Sequence, residues 1–338
     1  MAAAAVSKEG LFIPLIDFDV FLHGNAADRL ETAKRILHGF QTAGFIYLKN
    51  HPITPATLAR VFATSAEFFA QPMDAKLALG WTTPEANRGY SAPGREKVTQ
   101  ITDAAAVAAV RDAAPDLKES FEIGRDNVPD MPNRWPAEAA SVSVSSFRPV
   151  MLDFFAQCKA FHDHVMRAIA VGMGLPESFF DPFTDDGENT LRLLHYPAVR
   201  RGVFDANPNQ VRAGEHSDYG SITLLFQDDR GGLQVRSPQG GFVDATPIEG
   251  TVVVNAGDLL ARWSNDTIKS TIHRVVEPPR KAGDSGEYPS RYSIAYFCNP
   301  NFDSYIDALP GTFASEAEKK YKGVKSGDYL VQRLAATY

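Results

Sequence analysis

Arg212–Phe226, RAGEHSDYGSITLLF, is the stretch on which the reading of this chain turns. His216 and Asp218 stand two apart in it. On an extended backbone, residues i and i+2 leave the same face, so both side chains can grip one metal ion. Such a site needs a third ligand. His273, in the later run SNDTIKSTIHRVVEPP, is the candidate that a folded sheet could bring alongside. Two histidines and one carboxylate on one face of an octahedron leave three positions open, which suits non-haem Fe(II) and two further reactants.

RYSIAYF, Arg291–Phe297, alternates as a strand does and puts Arg291, Ser293, Ala295 and Phe297 on one face. A guanidinium with a hydroxyl two residues on is well matched to a carboxylate, because the planar fork makes two contacts and the serine adds a donor. With HSD, STIHRV and RYS in place, the chain resembles the Fe(II)- and 2-oxoglutarate-dependent dioxygenases of the isopenicillin-N-synthase-like class. The resemblance implies Fe(II) held by His216, Asp218 and His273, with 2-oxoglutarate and O2 as cosubstrates. It also implies that Arg291, Ser293 and Tyr196 of LHYPA bind the far carboxylate of 2-oxoglutarate, which leaves as succinate and CO2 when a substrate C–H bond is hydroxylated.

At 338 residues and 44% apolar, the chain can bury a large core in one extended domain. No stretch has the apolar length of a bilayer span, and MAAAAVSKEGLF lacks the basic and apolar regions of a secretory signal, so a cytosolic protein is expected. Cys158 and Cys298 are the two cysteines and read as buried thiols rather than a disulfide. A net charge of −7 argues against a surface that tracks phosphates, so the expected partner is a small molecule and not a nucleic acid polymer or a membrane. A monomer is expected.

In chain order, Leu11–Phe18 reads as a strand, Ala27–Gly44 as an amphipathic helix, and FIYLKN as a strand. Pro55–Phe69 and Asp74–Leu79 read as helices, TTPEANRGYSAPGREKVTQ as a loop, Asp103–Ala114 as a surface helix and Lys118–Gly124 as a strand. Ser141–Gly174 reads as the longest helix. His162 and His164 on it lie about 200° apart around the axis and cannot share a metal. His51 reads as structural. From Asn189 the pattern changes to short β-branched runs: TLRLLHY, SITLLFQ, GLQVRS, GFVDA, TVVVNA, DLLARWS, STIHRVV and RYSIAYFC. Eight such runs fit a double-sheet jelly roll, the double-stranded β-helix of the class, so the fold expected is mainly β with flanking helices. The segments expected are an α/β region at 1–140, the long helix and a connector at 141–188, the double-stranded β-helix at 189–300, and a tail at 301–338 with helices over Ala314–Gly323 and Gly327–Ala335.

Alternation along TLRLLHY puts Arg192 and Leu194 on the face of Tyr196, with Asn189 just before the strand. Phe297 shares the Arg291 face, and Tyr219 follows Asp218. These groups would suit a flat substrate with a polar edge, read by an arginine and an amide between two rings. Phe297 reads equally as core, Arg192 as a surface cation and Asn189 as a turn residue. GFQTAGFIYLKN, GWTTPEANRGYSAPGREKVTQ, RLLHYPA, VVNAGDLLARWSNDTIKS and QRLAATY extend the resemblance to members of the class that oxidise free thymine. That resemblance implies successive oxidation of the methyl group to 5-hydroxymethyl-, 5-formyl- and 5-carboxyuracil, with Asn189 and Arg192 on the pyrimidine edge and Tyr219 and Phe297 on the ring faces. A sister oxygenase acting on another flat heterocycle, a zinc hydrolase and a non-catalytic ligand-binding barrel are the alternatives.

Overall fold

The computed structural model describes residues 3–82, 87–95, 115–137, 146–207, 210–279, 281, 284 and 286–335. Its centre is a nine-stranded sheet whose strands run in the spatial order Ala4–Lys8, Leu11–Asp17, Phe45–Lys49, Thr251–Ala256, Ile222–Gln227, Arg291–Cys298, Thr190–Tyr196, Glu119–Gly124 and Gly89–Ser91. A four-stranded sheet, Phe242–Asp244, Leu233–Arg236, His273–Val275 and Ala213–His216, faces it. The two inner faces enclose one apolar cluster that includes Tyr47, Leu194, Val235, Val253 and Val275. This is the jelly roll expected from the sequence.

The outer face of the large sheet is buried as well, against helices. Asn25 caps Ala26–Thr42 by accepting from the backbone of Ala27 and Asp28, and Thr54 caps Pro55–Phe69 through the Thr57 N–H. Phe147–Gly172, the 26-residue helix, lays Phe154 against Phe226 at 5.4 Å and Phe155 against Tyr296 at 5.0 Å between ring centroids. Each strand of the sheet's middle therefore serves two cores. Leu191 and Leu193 pack under the helices, while Leu194 and Tyr196 look into the barrel. A slip of one residue would exchange these sets and drive the Arg192 guanidinium into the apolar core under the helices, where a charge is costly to bury, so the register is strongly specified.

Three local expectations change. DLLARWS is no strand: Asp258–Trp263 is a helix that buries Leu259, Leu260, Ala261 and Trp263. Its first N–H groups bond to the carbonyls of Asp218, Tyr219 and Gly220, so tertiary partners outweigh the local pattern. The approach requires Gly257, where a Cβ would stand 2.4 Å from the Gly220 carbonyl oxygen. Ala314–Gly323 forms only a 3₁₀ turn at Glu316–Glu318 with no buried residue, since it offers no apolar stripe to pack. Gly89–Ser91, inside the expected loop, pairs with Glu119–Gly124 as an edge strand. The expected helix at 103–114 and the start of the long helix at 141–145 lie outside the described residues. No described helix is long and apolar enough to cross a membrane. Cys158 and Cys298 are buried free thiols.

Candidate active site

The barrel holds a cavity of about 320 Å³, and strand register explains which side chains enter it. Arg291 pairs with Tyr196, Ser293 with Leu194, Ala295 with Arg192 and Phe297 with Thr190. On its other side, Phe297 pairs with Thr223, which in turn pairs with Asn255. All of these line the cavity, so the predicted Arg291-Ser293-Ala295-Phe297 face and the Arg192-Leu194-Tyr196 face meet as one wall.

His216 and His273 arrive from the opposite sheet as a directly registered pair, with ring centroids 4.3 Å apart. Their Nε2 atoms each lie 3.8 Å from Oδ1 of Asp218, a separation that ligands about 2.1 Å from a shared ion can span. Each Nδ1 faces a backbone carbonyl, Gly214 at 2.8 Å for His216 and Thr271 at 3.2 Å for His273. With Nδ1–H donating there, each Nε2 lone pair faces the carboxylate. The second Asp218 oxygen, Oδ2, accepts from Asn255 Nδ2 at 2.7 Å and from the Thr223 hydroxyl. Burial pushes the Asp218 carboxyl upward, but His273, His216, Asn255 and Thr223 together hold it below the usual carboxylate range. Burial, reinforced by His273, takes His216 down to about 3. The donor set, two neutral imidazoles and a carboxylate aimed at one point, fits a divalent ion.

At the other end of the wall Arg291 is almost fully buried, with its Cζ 4.8 Å from the Tyr196 ring centroid. Its Nη1 donates to Ser293 at 3.1 Å and its Nη2 to Gln227 at 3.1 Å, while the buried Nε has no partner among the described residues. A buried guanidinium with an N–H in reserve fits the far carboxylate of 2-oxoglutarate.

Arg192 lines the cavity with its Cζ 5.4 Å from the Phe297 ring centroid. Tyr219 lines it too, and Arg333 of the C-terminal helix Ser326–Ala335 sits over the Tyr219 ring at 4.6 Å. Leu330, Val331 and Leu334 of that helix also border the cavity. Asn189 does not reach it. Fully buried behind the wall, it donates through Nδ2 to Tyr296 Oη at 3.0 Å and accepts at Oδ1 from the Asn299 N–H at 2.9 Å, so its amide is engaged in joining two strand ends.

Sequence reasoning missed Asn255 and Thr223, because which residues back a carboxylate depends on cross-strand register. Asn87 and Arg88 also line the cavity and were hidden in a segment read only as a loop. Glu122, whose Oε1 lies 2.8 Å from Arg192 Nε, could have been found, since alternation from Lys118 through Ser120 points it to the Arg192 face. His162 and His51 stand apart from the metal cluster. His162 is fully buried against Ser221 at 3.2 Å, and His51 stacks on Phe161 at 5.6 Å.

Two histidines and one carboxylate aimed at one point, inside a two-sheet barrel with a buried arginine, are the donor set and setting of a non-haem iron oxygenase. Residues 187–300 match the family model of the 2OG-Fe(II) oxygenase superfamily, and residues 13–138 match that of the non-haem dioxygenase in morphine synthesis N-terminal region. The chain belongs to the 2OG-Fe(II) oxygenase superfamily and is a 2-oxoglutarate-dependent dioxygenase that works with Fe(II), 2-oxoglutarate and O2. It is 35% identical to the 2-oxoglutarate-Fe(II) type oxidoreductase ppzD of Metarhizium rileyi, over 96% of this chain and 90% of the relative. It is 34% identical to the proline hydroxylase buaE of Petromyces alliaceus, over 96% and 98%. Among solved structures, Neurospora crassa thymine 7-hydroxylase in complex with alpha-KG and thymine is 68% identical, with a TM-score of 0.92, over 99% of this chain and all of that one. The same protein with alpha-KG and 5-formyluracil is 64% identical over both full chains, with a TM-score of 0.90. Family membership disfavours the zinc-hydrolase and non-catalytic alternatives.

Proposed function

We propose that this chain acts as a thymine 7-hydroxylase: it hydroxylates the methyl group of free thymine and carries the product on to 5-formyluracil and 5-carboxyuracil, with 2-oxoglutarate as cosubstrate. The observation that carries this reading is the likeness, at 64–68% identity over essentially the full length, to the Neurospora crassa enzyme bound to alpha-KG with thymine or 5-formyluracil. The cavity supports it. Thymine is flat and neutral, with two carbonyl acceptors and two N–H donors around the ring, and needs its methyl turned toward the metal.

In this reading His216, Asp218 and His273 hold Fe(II), and Arg291, Ser293 and Tyr196 hold the far carboxylate of 2-oxoglutarate. Fe(II) held by His216, Asp218 and His273 would supply the oxidising chemistry, with O2 as oxidant and 2-oxoglutarate converted to succinate and CO2. The protein supplies orientation. Arg192 can only donate, which suits a pyrimidine carbonyl. Phe297 and Tyr219 set the plane of the ring. Because Phe297 pairs with Thr223, and Thr223 bonds Asp218, the ring's support and the metal's support lie on one rung of the sheet. Asn189 acts from behind, holding the strand ends on which this geometry depends. A monomer, working in the cytosol on the free base rather than on a polymer, completes the proposal.

The decisive experiment adds 2-oxoglutarate to the Fe(II) protein without oxygen and follows the visible charge-transfer band of keto-acid chelation. Thymine should perturb the band, and admission of O2 should then give one succinate for each oxidation step: one for every 5-hydroxymethyluracil, two for every 5-formyluracil and three for every 5-carboxyuracil formed. A band that ignores thymine but responds to another heterocycle in a panel would assign the chain to a different substrate.

A further inference from the structure

We infer that Asn87 is a specificity-determining contact of this pocket: its amide accepts a hydrogen bond from a ring N–H, so that the ligand selected is a neutral heterocycle with an N–H beside a carbonyl. The inference deepens the thymine reading and rests on it. That reading needs an acceptor as well as Arg192, because a guanidinium can only donate and thymine presents ring N–H groups besides its carbonyls. The amide that the sequence offered for this purpose, Asn189, is engaged behind the wall. Asn87 lines the cavity, and its buried Oδ1 has no hydrogen-bond partner among the described residues. An unpaired acceptor beside a cavity is costly to keep unless a ligand brings the donor.

Strand register brings Asn87 to the wall that Arg192 lines. Gly89 stands opposite Glu122, and Glu122 opposite Arg192, so three adjacent strands share one rung. Asn87 precedes that rung by two residues and, with Arg88, borders the same cavity as Arg192 and Phe297. The segment is pinned. The Gly89 carbonyl accepts from Trp81 Nε1 at 3.2 Å, the Tyr90 N–H donates to the Leu79 carbonyl at 2.9 Å, and Arg88 Nη1 donates to the Asn87 carbonyl itself at 2.9 Å. Arg88 is buried against Gly124, where a Cβ would stand 1.8 Å from its Cζ. Asn87 has a φ of 46°, in the left-handed region that asparagine tolerates better than most residues with a side chain. Backbone held in that region by so many neighbours is characteristic of ligand clamps. The side chain, by contrast, can turn. The terminal torsion of an asparagine is broad and roughly two-fold, so Oδ1 can swing to meet an N–H without giving up a bond it already makes.

The test uses the Fe(II)-loaded full chain with 2-oxoglutarate and no oxygen. Dissociation constants for thymine, 1-methylthymine and 3-methylthymine are read from the perturbation that each gives to the charge-transfer band. Asn87→Gly removes the amide and keeps the backbone angle. It should weaken thymine about tenfold, the scale of one hydrogen bond whose donor is left unpaired in the pocket. At least one of the two N-methyl analogues, lacking the N–H that Asn87 addresses, should bind the variant no more weakly than it binds wild type. Titration of 2-oxoglutarate itself should stay within about twofold of wild type, since Arg291, Ser293 and Tyr196 are unchanged. A segment that had only slackened would weaken thymine and both analogues alike. That result overturns the inference, as does wild-type affinity for thymine in Asn87→Gly. A wild-type band that ignores thymine is a separate failure, that of the thymine reading, and takes the inference with it.

Discussion

Asn255 donates Nδ2–H to Oδ2 of Asp218 at 2.7 Å, so the carboxylate that faces the two histidines is held from behind. With Thr223 on the same oxygen, Oδ1 is left as the ligand atom. Removing such a support usually weakens a metal site about 10–100-fold. Asn255→Ala should raise the Fe(II) dissociation constant by that factor, measured against a competing chelator, with an unchanged circular dichroism spectrum. His216→Ala, Asp218→Ala and His273→Ala should each abolish turnover with the fold retained. Full activity in any of these three would refute the metal assignment.

Arg291→Lys should raise the KM for 2-oxoglutarate far more than that for thymine. An ammonium cannot reproduce the fork that donates to Ser293 and Gln227 while keeping Nε in reserve. Loss of a charge-assisted hydrogen bond costs roughly 1.5–3 kcal/mol, or about 10–100-fold in KM. A change confined to the thymine KM would place Arg291 on the other substrate.

Phe297→Ala and Arg192→Leu should impair thymine oxidation while leaving the 2-oxoglutarate band in place, because neither residue touches the Arg291 end of the wall. Phe297→Ala should also consume 2-oxoglutarate without oxidising thymine, since a tilted ring no longer presents its methyl to the metal. The ratio of succinate to oxidation steps, with 5-hydroxymethyl-, 5-formyl- and 5-carboxyuracil counted as one, two and three, measures this directly, and a ratio near one in Phe297→Ala would contradict the stacking role.

His162 makes acid sensitivity testable away from the metal. The Ser221 hydroxyl donates to the Cys298 carbonyl at 3.0 Å, so His162 Nε2–H donates to Ser221 Oγ and its buried Nδ1 has no partner among the described residues. Protonation would bury a second N–H with no acceptor, and burial, with Lys159 nearby, holds the imidazole down at about 3. The unfolded chain takes up this proton near pH 6.5, so stability is fully present above that pH and falls as pH drops toward about 3. His162→Gln keeps a donor for Ser221 and removes that proton. The Tm of wild type should fall more steeply than that of His162→Gln between pH 6.5 and 4, and parallel curves would show that His162 does not contribute.

The motifs legible in the sequence were those carried by local period. Alternation placed Arg291 and Phe297 on one face and Arg192 with Tyr196, and a two-residue spacing placed His216 with Asp218. What depended on distant pairing was not legible. Asp258–Trp263 is too short for its apolar run to separate helix from strand, and it is decided by carbonyls of Asp218, Tyr219 and Gly220. Asn189 sits beside the cavity-lining strand Thr190–Tyr196 in sequence, yet its amide is claimed by Tyr296 and Asn299 about 110 positions away. Glu122 and Asn255 gain their roles from the residues they face across strands, which composition cannot reveal.

Thr190–Tyr196 turns Leu191 and Leu193 to the helices and Arg192, Leu194 and Tyr196 to the cavity. Its two readouts are interleaved residue by residue, so inserting or deleting one position would turn leucines toward the ligand and a guanidinium into the aromatic core. Descendants of this chain can acquire a new ligand preference here by exchanging side chains one at a time, but not by altering the strand's length. The strand is therefore a frame in which letters may be rewritten and the spacing may not.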